Sequence, residues 1–456
     1  MGRVQAPGEI SLSRRAYLRY APLHAATVAL LASACGPAGQ RPAAGPGEKK
    51  AVTELRIWFH WGGLRFQKIQ ELMEEYNATQ GRQDKNVVKI ETVPDVQMLE
   101  KMTVAVAAGD PPDVWHANAS PKVATAGGLI VELPREEQQY VRRNYVPGAI
   151  DLVTLEGKIW GYPTEFQARA HLYRKSHYRD AGIAQPPASL EDVLEHAVKL
   201  TRRSGGTHER FGFLLLDGRW LTSQIIDLIG RFGGQMYHFN GDTPVKIDVV
   251  SDQAMEAVGW WRQLVERGVT QVGVMDHTEG MRRGIAAATE CWIWYITGNT
   301  RDLGLNDLYE DYGGVVLPPK RGLKPVVYAG GWMLAAPKGA KQPEERWKLM
   351  RWMMYKPEMR FSRFLVEFVG SMPAPTDYPN PMQIPGWTDE LRRVFGIETP
   401  KIAQMVPTRK LLGVAEMNPL IEETLQAIIT GNIAIRPGLQ QLNERLNEIL
   451  KRYHST

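Results

Sequence analysis

The segment LRIWFHW at residues 55–61 alternates into a strand, and the glycine pair Gly62-Gly63 follows it. What comes next decides the fold. Phe66, Ile69, Leu72, Met73 and Tyr76 recur at helical spacing. VVKIETV (87–93) is β-branched and strand-like. VQMLEKMTVAVAAG (96–109) is helical and stops at Gly109, where Asp110-Pro111-Pro112 prevents continuation. DVWHA (113–117) supplies another short strand. The order β-α-β-α-β predicts a largely parallel sheet. Ligands of open α/β sheets collect beyond the carboxyl ends of the strands. His60-Trp61 and Trp115-His116-Ala117-Asn118 fall at such ends.

A chain of 456 residues exceeds what one hydrophobic core serves, so at least two lobes are expected. The second begins like the first. RAHLYRK (169–175) reads as a strand, and Ser189 with Asp192 forms a capping arrangement before VLEHAVKL. RFGFLLL (210–216) reads as a further strand, and residues 251–267 as a helix closed by Gly268. Helices are also expected at 344–355, 357–369, 418–429 and 439–453. ECWIWY (290–295) reads either as a buried strand or as an aromatic shelf. In a regular strand Trp292 and Trp294 would point one way, with Ile293 and Tyr295 opposite.

The formal charge is only +5, and Arg3, Arg14, Arg15 and Arg19 against Glu9 carry much of it at the front. No long Lys/Arg run follows, which argues against nucleic acid as a partner. SRRAYLR (13–19) precedes an apolar stretch at 21–34 that is too short to cross a bilayer, the form of a cleavable export signal. The paired arginines resemble a twin-arginine signal. ASAC (32–35) resembles a bacterial lipobox, which would make Cys35 lipidated and the mature N-terminus; an ordinary secretory signal is the alternative. Residues 1–34 are thus read as signal and 35–51 as lipidated cysteine and Gly/Pro/Ala-rich tether. After cleavage Cys291 is the one other thiol, so no intrachain disulfide is available, and it reads as a small buried hydrophobe. No metal-binding spacing, nucleophile elbow or phosphate loop is visible, so no metal, cofactor or catalytic residue is expected. A glycosidase would need two opposed carboxylates, for which Glu165 and Glu290 are the available pair.

Six segments in order then resemble one family. MTVAVAAGDPPDVW (102–115), AGGLIVEL (126–133), LEGKIWGYPTEFQARAHLYRK (155–175), AGIAQPPASLEDVLEHAVKL (181–200), MRRGIAAATECWIW (281–294) and VVYAGGWMLAAPK (326–338) are similar to motifs of extracellular solute-binding proteins of family 1, receptors of ABC importers that often carry sugars. The resemblance implies a hinged, two-lobed α/β periplasmic-binding-protein fold of type II, each lobe a mostly parallel sheet flanked by helices. Its crossovers would pass near residues 162–167 and 328–331, with an N-lobe of 52–167 and 331–375 and a C-lobe of 168–330 and 376–456. It further implies a monomer held extracytoplasmically by lipid, a small-molecule solute (a mono- or oligosaccharide), and ABC permease transmembrane subunits as partners. A polyamine, phosphodiester or iron complex is the alternative solute.

Trp294 falls where the resemblance places a sugar-stacking tryptophan, its flat ring matching the C–H face of a sugar; core packing is the competing reading. Trp332 after Gly330-Gly331 is a ligand contact or a packed indole at a hinge, and Gly331 would let backbone amides approach a solute. His60 and Trp61 precede a helix start with free N–H groups. Trp115, His116 and Asn118 share the strand-end logic, and Gln167 offers an amide that both donates and accepts. Each competes with a bland packing or loop role. Trp261, Leu264 and Val265, and Trp347, Met350 and Met354, share helix faces that should be core.

Overall fold

The computed structural model describes residues 52–454 apart from 119, 217–218, 293, 296–306 and 377–386. The segments read as export signal and tether, with Cys35, lie outside the described residues. In chain order the strands are β1 (Thr53–Phe59), β2 (Asn86–Thr92), β3 (Val114–Asn118), β4 (Ile130–Val131), β5 (Thr154–Leu155) and β6 (Lys158–Ile159). Then come β7 (Tyr162–Pro163), β8 (Gln167–Arg174), β9 (Arg202–Ser204), β10 (Thr207–Arg210), β11 (Tyr237–Asn240) and β12 (Thr243–Ile247). The last are β13 (Ala288–Trp292), β14 (Tyr312–Val316), β15 (Val327–Gly330), β16 (Trp332–Pro337) and β17 (Ala403–Met405).

The first sheet has the order β2-β1-β3-β16-β4, with β7 also on β16. β1 runs parallel to β2 and β3, and Leu55, Ile57, Trp58 and Phe59 are all buried, as a strand covered on both faces requires. The helix Gly63–Ala78 buries Ile69, Met73 and Tyr76 along one stripe. The helix Asp95–Ala107 ends at Gly109, whose φ of +71° only glycine adopts freely. The turn after it is clamped to β1. The Arg56 guanidinium donates to the Asp110 carboxylate and to Pro111 O at 2.8 Å, while Arg56 N donates to Asp113 Oδ2 at 2.9 Å. That clamp sets β3 beside β1.

The first sheet is parallel only along β2-β1-β3, because β16 is antiparallel to β3, β4 and β7; the second departs further from the expected parallel order. Its order is β13-β8-β15-β17, with β14 also on β8. β8 is antiparallel to β13, β14 and β15, and only the β15–β17 pair is parallel. Helix-strand alternation does not govern this half, so the expectation of a mostly parallel sheet fails here. Residues 210–216 are not the continuous strand that RFGFLLL suggests. They make isolated bridges at Phe211–Ala286 and Leu214–Thr289, because Gly212 between them presses against Ala197 O of the neighbouring helix. ECWIWY likewise breaks: β13 ends at Trp292 and Trp294-Tyr295 are helical, so the two indoles do not share a strand face.

Other local readings hold. Ser189 Oγ accepts from Asp192 N at 3.1 Å and Asp192 Oδ2 accepts from Ala188 N at 3.1 Å, a reciprocal cap on the helix Leu190–Leu200. Ser251 caps Asp252–Glu266. Trp261, Leu264, Trp347, Met350 and Met354 are core, and Cys291 is buried. The helix expected from residue 357 begins at Arg360. Among the described residues no helix is long and apolar enough to cross a membrane.

The chain passes between the sheets at Thr164–Glu165–Phe166, from β7 to β8, and at Gly331, from β15 to β16. A third segment lies against them: Phe166 N donates to Met372 O, Ala374 N to Thr164 O, and Glu165 bridges Pro373. A Cβ on Gly331 would stand 2.3 Å from Glu165 O and 2.9 Å from Leu152 Cδ1. The crossovers therefore touch backbone to backbone, and glycine is needed for that approach rather than for a solute.

Candidate functional site

Strand ends from both sheets meet at these crossovers. Asn118, the last residue of β3, is in register with Trp332, the first of β16. Gln167, the first of β8, is in register with Gly330, the last of β15, and Arg169 with Trp292, the last of β13. Gly331 alone separates Gly330 from Trp332, so the two sets of strand ends are neighbours.

The first wall is a column of rings. His60 lies flat on Trp332, with centroids 3.6 Å apart and planes 7° apart. His116 is 5.2 Å from His60 and 4.6 Å from Trp61. A hydrogen-bond chain assigns the protons. Thr164 Oγ1 donates to Trp332 O at 2.9 Å, so His116 Nε2–H must donate to Thr164 Oγ1 at 3.2 Å. His116 Nδ1 is then the acceptor of the 3.3 Å contact with His60 Nδ1, which leaves His60 Nε2 as a lone-pair acceptor. Neutrality fits this assignment. Burial, then Arg65, pushes His60 down to about 3, and burial, then His60, holds His116 well below the usual imidazole range.

The second wall combines rings with buried charge. The Arg169 guanidinium sits 4.8 Å from the Trp292 ring, pairs with Asp227, and donates to Ser223 Oγ at 3.0 Å and Ser223 O at 2.8 Å. Asp227 Oδ1 in turn accepts from Tyr328 N at 2.7 Å. Trp292 packs 4.7 Å from Trp220, and Trp294 stacks on Tyr295 at 4.0 Å and 18°. All four rings keep part of their surface exposed. Trp294 also packs against the core of the first sheet, so it joins the two halves.

The expected residues divide accordingly. His60, His116 and Trp332 come together, with Asn118 exposed at the strand end beside them. Trp61 stands under the column, 5% exposed, packed on Phe361 and Phe364. Trp115 is a correction: it lies inside β3, between Trp58 and Ala335, and is core at 4% exposure. β3 runs on to Asn118 because β16 pairs along it, so the strand end is three residues later than Trp115. Gln167 is buried and donates to Ser371 Oγ at 2.7 Å, so its amide serves the hinge. Gly331 is occupied by protein contacts, as above.

The two carboxylates have structural partners. Glu290 is an arginine's partner: Arg231 Nη1 donates to Oε1 at 2.7 Å and Gln224 Nε2 to Oε2 at 2.9 Å. Burial raises its pKa, but Arg231, Gln224 and neighbouring cations outweigh that and hold it below the usual range. Glu165 is buried at the crossover beside Ser371 and Gln167, and burial lifts it to about 7. Glu290, with both oxygens engaged and held ionised, is a poor general acid. No group of three or more His, Cys, Asp or Glu that could hold a metal occurs among the described residues. Arg169, Asp227, Trp220, Thr164 and Ser371 were not singled out from the sequence; Thr164 and Arg169 stand within the segment 155–175, but only pairing across the fold reveals the role of each.

The family profile described as bacterial extracellular solute-binding protein matches residues 64–357. The sn-glycerol-3-phosphate-binding periplasmic protein UgpB of Rhizobium meliloti (strain 1021) is 22% identical over 88% of this chain and 94% of its own length. A protein of Brucella abortus (strain 2308) named as a binding protein is 23% identical over 47% of this chain; the chain spans about half, 50%, of that relative's length. The solved structure of maltose-bound MalE3 of T. maritima superimposes with a TM-score of 0.71 at 19% identity, over 87% of this chain and 100% of that one. That likeness concerns the fold.

Proposed function

We infer the role of this chain from one premise: it belongs to the family of bacterial extracellular solute-binding proteins. In our reading it captures a mono- or oligosaccharide in the cleft at the crossovers and delivers it unchanged to the permease subunits of an ABC importer. The lobes are 52–167 with 331–375 and 168–330 with 376–456, closing on the solute because contacts from both favour the closed state. The observation that carries the reading is a pair of aromatic clusters at the strand ends beside the crossovers, His60, His116 and Trp332 on one sheet and Trp220, Trp292 and Trp294-Tyr295 on the other, with Trp294 packed against the core of the first. Flat rings suit the C–H faces of a sugar, and His60 Nε2 and Asn118 suit its hydroxyls. A polyamine would want unpaired acidic groups; Glu290 is paired and Glu165 is buried. Signal cleavage, lipidation at Cys35, extracytoplasmic anchoring and a monomeric state belong to the same reading.

The test is a thermal-shift screen of the full chain against mono- and oligosaccharides, followed by calorimetry on Trp332→Ala. A solute bound only by the folded protein raises its melting point. Binding should weaken by roughly 10- to 100-fold in the variant, the range of a lost ring anchor. Recovery of a cleaved saccharide, or no response to any solute, would overturn the reading.

A further inference from the structure

We propose that Arg409 is the recognition site for an oxyanion, a phosphate monoester or carboxylate, carried by the captured solute. The inference rests on the cleft reading above and narrows its substrate class. Its geometry comes from the second sheet. β17 runs parallel to β15, and Val406 N donates to Ala329 O, so the turn Pro407–Lys410 emerges just past the carboxyl end of β15. There the Arg409 guanidinium lies on Gly330: a Cβ at that position would stand 3.0 Å from Nη2. Gly330 is in register with Gln167 and two residues from Trp332, which puts the guanidinium at the crossover beside the ring column. From the other lobe it is Asp95, at the start of the helix Asp95–Ala107, that attracts it.

What distinguishes Arg409 is its lack of protein acceptors. Arg56, Arg169, Arg174, Arg231 and Arg351 each donate to carboxylates or carbonyls. Among the described residues the half-buried Arg409 guanidinium makes no hydrogen bond and no ion pair. A planar fork of five donors, partly exposed beside Gly330 at the crossover, matches the two oxygens of a carboxylate or phosphate. Burial lowers its pKa to about 10, so it stays protonated at neutral pH. The surrounding charges leave room for an anion. His60 and His116 are neutral, and Asp227 is spent on Arg169.

The experiment compares matched solutes on the full chain by titration calorimetry and thermal shift: glucose, glucose 6-phosphate and glucuronate; glycerol, glycerol 3-phosphate and glycerate. The charged member of at least one set should bind about 10- to 100-fold more tightly than its neutral parent, the range of a hydrogen-bonded charge, and lose affinity as salt rises. Whether the phosphate or the carboxylate wins names the group. Arg409→Gln should erase the preference, and Arg409→Lys should restore part of it, while the unliganded melting point stays unchanged. If neutral parents bind as tightly and Arg409→Gln changes nothing, the oxyanion site is wrong but the cleft stands. A lower unliganded melting point in Arg409→Gln would mark a structural residue and also overturn it. If no member of any set binds, the cleft reading itself falls.

Discussion

The two aromatic clusters beside the crossovers, the walls of the proposed cleft, are built on opposite electrostatic plans. The first holds Trp332 by stacking it on neutral imidazoles, whose protons are fixed by a chain ending at the Trp332 carbonyl. The second holds Trp292 over a buried guanidinium and backs it with two ion pairs, Arg169–Asp227 and Arg231–Glu290. Neutral rings tolerate exchange of a partner, since losing one strands no charge. Buried ion pairs do not: each member is stable only while its counterion remains. The second wall should therefore be the rigid platform of the closing motion and the first the adjustable one.

The sharpest way to break this contrast is Glu290→Ala. It leaves Arg231, fully buried, without its carboxylate, and should cost about 3–5 kcal/mol in urea unfolding. A change below about 1 kcal/mol would mean the second wall is as forgiving as the first.

Glu165, between the walls, gives the next effect. Its folded pKa of about 7 lies above the ordinary carboxylate value, so the folded protein binds the proton more tightly than the unfolded chain. The associated stability is complete below the unfolded value near 4.5 and is lost as pH rises toward 7. The span corresponds to about 3 kcal/mol. Glu165→Gln should flatten that part of the pH–stability curve and be the more stable protein at pH above 7; parallel curves would contradict the buried carboxyl.

The smallest effect is expected away from the hinge. Glu156 N donates to Asp242 Oδ2 at 3.0 Å, and Asp242 also pairs with Lys410, so the hairpin tip between β11 and β12 touches the turn between β5 and β6. Asp242→Ala should change stability by no more than about 1 kcal/mol, because the pair is partly exposed. A larger loss would make this contact, rather than the aromatic walls, the main tie between the lobes.

How much of this the sequence disclosed depends on how local the cause is. The β2-β1-β3 part of the first sheet was legible because its strands alternate with helices, and the Gly-Asp-Pro-Pro-Asp turn is a local stop signal whose Arg56 clamp lies one strand away. The Ser189 cap was legible for the same reason. The second sheet was not, since β8 gathers partners more than 100 residues downstream and no local pattern fixes their direction. Within the site, His60, His116 and Trp332 follow from strand ends. Trp115 was misread because the end of β3 is set by β16, far along the chain. Arg169 stands in a quoted strand segment that says nothing of its partners, and Arg409 in none; one becomes visible through its stack on Trp292, the other through a glycine that leaves room for it.

The most direct measurement is a crystal structure of the full chain grown with whichever solute gives the largest thermal shift. The account predicts the solute held between the His60–Trp332 column and the Trp292–Trp294 side. A solute bound elsewhere, with those rings packed on one another and no space between them, would contradict it.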